Sequence, residues 1–122
     1  MSKTTKRHFA IFKAEVERLV KLWDLHDWEV RVLHGGTGPS AGGTCAVNHA
    51  THIACIRLND RWPQNPEVAL TKEALLDTAR HEVCHVVSGE LLSACESRYL
   101  TTDEEKSACE AVCIRLIRLL PR

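Results

Sequence analysis

Residues 81–85 read His-Glu-Val-Cys-His, an H-E-x-x-H pattern. On a helix, His81 and His85 stand one turn apart on one face. Two imidazoles so placed can each give a ring nitrogen to one zinc ion. Glu82 stands beside them, where a carboxylate could take a proton from a zinc-held water. Zinc lowers the pKa of such a water, and the hydroxide attacks a polarised carbonyl. The chemistry expected from these residue types is zinc-dependent hydrolysis of peptide bonds, with Glu82 as general base. The plain alternative is two surface histidines flanking a solvated glutamate.

The pattern needs a helix to hold it. Residues 71–92 read as one amphipathic helix, with Thr71 as N-cap and Glu73 and Asp77 in its early turns. Leu75, Leu76, Ala79, Val83, Val86 and Val87 gather on one side. His81, Glu82 and His85 fall on the other, near Ala74, Thr78 and Gly89. Asp77, one turn before His81, is a candidate to accept that ring's second N–H, beside the plain reading of a solvated helix residue.

The other elements follow from periodicity. Residues 6–23 read as a helix on Phe9, Phe12, Val16, Leu19, Val20 and Trp23, with residues 24–27 as its exit. Residues 28–34, 44–48 and 52–58 read as strands, the last two joined by a turn near 48–51. The glycine-rich stretch 35–43 is a connection; it does not match a phosphate-binding loop. Residues 59–66 form a loop, 93–102 a connection and 103–120 a last helix, with Thr102 or Asp103 as N-cap and Pro121 beyond its end. The expected fold is a single α+β domain over residues 1–122, a small, mostly antiparallel three-stranded sheet packed with three helices.

Lys plus Arg and Asp plus Glu both number 16, so nothing basic points to a nucleic-acid partner. No apolar run reaches the length of a membrane span, and the polar start lacks the apolar stretch of a signal peptide. A cytoplasmic location is expected. Six cysteines, at 45, 55, 84, 95, 109 and 113, are then expected as free thiols, several of them acting as small core hydrophobes. Cys109 and Cys113 lie one turn apart and could bind metal, but no C-x-x-C pair supports this.

A catalytic zinc takes three protein ligands. The last helix offers Glu104, Glu105 and Glu110; Glu90 and Glu96 lie nearer the motif. Glu105 falls closest to the apolar stripe of Cys109, Val112, Cys113, Leu116 and Leu120, and Glu110 falls at its edge. The residues alone leave the choice open.

Several segments resemble minimal zincin metallopeptidases of phages and prophages, distantly similar to the SprT-like and ImmA/IrrE-like groups. They are Leu25-His-Asp-Trp28-Glu-Val, Ile56-Arg-Leu-Asn59, the H-E-x-x-H pattern, and the run from Glu110-Ala to Leu120-Pro121. The resemblance implies a zincin-like fold, a Zn²⁺ cofactor and Glu110 as third ligand beside His81 and His85. Glu105 instead matches the interval seen in thermolysin-like enzymes. The chain lacks the trailing four-cysteine ribbon and basic region of the SprT-like pattern, which counts against a DNA-linked role. A phage-encoded chain would act in the host cytoplasm.

A peptide or protein substrate is the expected partner, with residues 52–58 as the sheet edge it would join. Tyr99, His34, His49 and His52 are candidates for stabilising an oxyanion. Two rival readings stand beside the peptidase. One is a catalytically silent binding or regulatory module of the same fold. The other is a redox-sensitive, cysteine-rich interaction protein with an accidental motif. A His₂Glu set also accepts other divalent metals.

Overall fold

The computed structural model describes residues 2–36, 41–48, 50–63, 69–94, 103, 106, 107, 110, 113, 114 and 117. In chain order the elements are β1 (Ser2–Lys3), α1 (Lys6–Leu22), β2 (Glu29–His34), β3 (Gly43–Asn48), β4 (Ile53–Leu58), β5 (Arg61–Trp62) and α2 (Lys72–Ala94).

Both helices start on a threonine. The Thr5 hydroxyl accepts from His8 N at 3.2 Å, and His8 Nδ1 accepts from Thr5 N at 3.0 Å. His8 thus fills the role that Glu or Gln usually plays in a capping box. The Thr71 hydroxyl accepts from Ala74 N at 3.1 Å, as its N-cap position predicts.

The expected fold is corrected on two counts. The described residues delimit two helices, not three. Most of the expected 103–120 helix lies outside the described residues; Asp103, Lys106, Ser107, Glu110, Cys113, Ile114 and Ile117 have helical backbone. The sheet is also mixed, in the order β2-β4-β3. β3 and β4 form the expected antiparallel hairpin, with Cys45 opposite Ile56. β2 runs parallel to β4, with Val30 opposite Ala54. Alternating hydrophobicity places a strand but not its neighbour, and a parallel pair is joined through a distant crossover. β4 is therefore the central strand, and residues 52–58 are not an edge. The expected loop 59–66 contains β5, which pairs antiparallel with β1.

The core lies where α1 and α2 meet the sheet. Phe12, Val16 and Leu19 from α1, Ala54, Ile56 and Leu58 from β4, and Leu75, Ala79, Val83 and Val86 from α2 are fully buried. Each large side chain so buried contributes about 1.5–3 kcal/mol. Leu76 and Val87, expected on the same stripe, are only half-buried. α2 packs on both α1 and β3, so its position is fixed from two sides.

A buried asparagine sets the entry to β3. Asn59 Nδ2 donates to Ala41 O at 2.7 Å, and Asn59 N donates to Gly42 O at 2.8 Å. These bonds clamp residues 41–42 to the end of β4. Gly43 then passes so close to α2 that an added Cβ would stand 2.8 Å from Thr78 Cγ2.

Candidate metal centre

α2 carries His81 and His85 on one face, as the four-residue spacing requires. Glu110 approaches from the far part of the chain. His81 Nε2 lies 3.0 Å from Glu110 Oε2, and His85 Nε2 lies 3.0 Å from Glu110 Oε1. The two Nε2 atoms are 3.1 Å apart. Among the described residues, this is the group of three potential ligands drawn to within 4.8 Å of one another.

The chemistry of this donor set fits a metal ion. Donors about 2.05 Å from a tetrahedral zinc sit about 3.3 Å apart, close to the spacings here. Two neutral imidazoles cannot donate to each other and to one carboxylate at once. A shared cation would satisfy both nitrogens and the carboxylate together. Burial pushes the His81 pKa down, ahead of the opposing pull of Glu110. A neutral ring is the form that ligates metal.

The other nitrogen of His85 faces a thiol. Nδ1 lies 3.8 Å from Cys113 Sγ, which in turn lies 3.7 Å from Ser88 Oγ. With a metal on Nε2, Nδ1 would carry the proton and face the sulfur as a donor. The Cys113 contact raises the His85 pKa, outweighing burial. Cys113 itself is pushed up to about 12, first by its contact with Cys84 and then by burial. It stays a thiol near neutrality. The sequence reading placed Cys113 in the apolar stripe and missed this contact. The signal was its i,i+3 spacing from Glu110, which puts both on one helix face.

Other expectations fall differently. Asp77 Oδ1 lies 3.6 Å from Arg80 Nη1. Cys45, Cys55, Cys84 and Cys113 form no disulfide among the described residues. Glu105, the alternate ligand, lies outside the described residues, as do Glu104, Glu96, Cys95 and Cys109. No described helix is long and apolar enough to cross a membrane.

The peptidase expectation, and with it the reading of the chain as an enzyme, is corrected. Glu82 is not part of the converging group. It is 6% exposed rather than on an open face, and its Cγ lies against Gly43 at the wall of β3. His34 is held by Thr4 Oγ1 at 2.7 Å and stacks on Phe9. His52 stacks on Trp28, with Asp27 3.5 Å from its Nδ1. Tyr99 and His49 lie outside the described residues. The strand expected to receive substrate is internal. What the described residues provide is a cluster able to chelate a metal ion.

Comparison with known proteins adds no family: no family model, curated protein or solved structure matches the chain.

Proposed function

We propose that the chain is a metal-binding module in which His81, His85 and Glu110 hold one divalent ion, zinc by preference. The convergence of both Nε2 atoms and both Glu110 oxygens at 3.0–3.1 Å carries this reading. Two imidazoles and a carboxylate are a borderline set that zinc accepts readily. The ion would neutralise Glu110 and hold its segment against α2, making metal uptake and local order one process. Three protein donors also leave room for a donor from a binding partner, which suits a regulatory role. On this reading the chain is a non-catalytic counterpart of the phage-encoded group it resembles.

The test is metal content by mass spectrometry on untagged protein, followed by zinc titration of the metal-free form. About one zinc per chain is expected. Glu110→Ala should weaken binding by at least about tenfold. Failure of the wild-type chain to take up zinc would overturn the reading.

A further inference from the structure

We propose that the cavity bordering the metal cluster is a cation subsite, taking the guanidinium or ammonium group of an organic cation. The cavity is about 650 Å³, within the usual range for small-ligand sites. The sheet side of its wall includes Ala41, Gly42 and Gly43, and α2 contributes Glu73, Asp77, His81 and Glu82, so His81 borders both the cavity and the metal cluster. None of the described lining residues is Lys or Arg.

Acidic groups on a helix are common and prove nothing alone. Asp77 has Arg80 nearby, and Glu73 has an interaction of its own. Glu82 differs. It is 6% exposed and lines the cavity, and its carboxyl makes no hydrogen bond or ion pair with a described residue. A buried carboxylate is costly unless a positive donor meets it. Among the described residues, the cavity is the side from which such a donor reaches Glu82. Gly43 sits beside Glu82 at this wall: a Cβ there would clash with Thr78 Cγ2 and stand at contact distance from Glu82 Cγ.

A metal ion does not suit this cavity. Residues 73, 77 and 82 spread over roughly 13 Å of helix, and a metal needs convergent donors. Among the described residues, the only such set is His81, His85 and Glu110. A guanidinium or ammonium group can meet a single carboxylate. Its apolar stem would lie along Ala69 and Ala74, which also line the cavity.

The test is titration calorimetry on metal-free protein at about pH 8, with N-acetyl-arginine amide, its neutral citrulline counterpart, agmatine and Mg²⁺. Because no metal is present, failure of the zinc reading would not affect the result. The arginine compound should bind at least about tenfold more tightly than the citrulline compound. Glu82→Gln should remove that preference while zinc uptake, read in parallel, persists. Binding of agmatine as well would assign the guanidinium alone; binding of the amide only would assign a peptide source. Equal binding of the arginine and citrulline compounds would overturn the proposal whether or not Glu82→Gln folds. So would an unchanged preference in Glu82→Gln, or displacement of the arginine compound by Mg²⁺.

Discussion

Arg80 Nε donates to Glu15 Oε2 at 2.7 Å, and each side chain is only 5% exposed. The pair joins α1 to α2 one residue before His81, so the cluster is anchored through a buried charge. Arg18 completes the network by donating to the same carboxylate. Removing one member of a buried pair leaves the other charged and unpaired, which costs about 3–5 kcal/mol. Glu15→Gln should therefore lower the chemical unfolding free energy by about 3 kcal/mol near neutral pH. A loss below about 1 kcal/mol would mean that water already reaches the Arg80 guanidinium.

The same carboxylate predicts an acid limb. Burial alone would raise the Glu15 pKa, but hydrogen bonds from Arg18 and Arg80 outweigh it and hold it below its ordinary value. A group with a depressed folded pKa stabilises fully above its unfolded pKa, 4.5 for Glu15. That stability is lost as pH falls from there through the folded pKa. Urea midpoints between about pH 6 and pH 3 should fall more steeply for the wild type than for Glu15→Gln. Parallel curves would remove Glu15 from the acid response.

Gly43 tests how tightly β3 sits on α2. An alanine Cβ would stand 2.8 Å from Thr78 Cγ2 and 3.2 Å from Arg57 O, a backbone atom that cannot swing away. Gly43→Ala should cost about 1–3 kcal/mol, as overpacking does. Thr78→Ser removes the nearer methyl, so combining it with Gly43→Ala should recover part of the loss. A thermal melt of the double variant checks this.

The sequence carried local information well and non-local information poorly. Phe12, Val16 and Leu19 predicted α1, and Leu75, Ala79, Val83 and Val86 predicted the buried stripe of α2, because helical period is a local property. The parallel register of Val30 with Ala54 was not legible, since nothing near either residue encodes a partner across a crossover. The two-residue pairing of β1 with β5 is too short to leave a pattern. At the site, the helical spacing of His81 and His85 was visible, but the surroundings of Glu82 were not. Its burial comes from Gly43 and β3, which reach it through the tertiary fold.

Cys113 offers a test of how the cluster is held. Its sulfur is a described partner of His85 Nδ1, and such outer contacts fix the orientation of a ligating ring. Cys113→Ala should weaken zinc binding by about tenfold to a hundredfold, measured by competition with a chromogenic chelator. Its raised pKa also predicts slow alkylation. In metal-free protein at about pH 8, iodoacetamide should label the half-buried Cys45 and Cys55 before Cys113, read by peptide mass spectrometry. Early labelling of Cys113 would contradict its burial.

Glu82 should act on stability in the opposite sense to Glu15. Burial, and then the Glu110 charge, raise its pKa from 4.5 to about 7. A carboxyl with a raised folded pKa keeps its proton in the folded chain after the unfolded chain has released it. Stability from this group therefore falls as pH rises from the unfolded pKa, and the penalty is complete above about 7. Its size is on the order of 3 kcal/mol. In metal-free protein the wild type should lose stability between about pH 5 and pH 8, and Glu82→Gln should not. At about pH 8 the variant should be the more stable of the two, because the amide enters the cavity wall without a charge. Urea unfolding of both proteins with chelator present gives the comparison. If the two curves stayed parallel across that window, the Glu82 carboxylate would be hydrated in the folded chain, and its burial against Gly43 would carry no electrostatic cost.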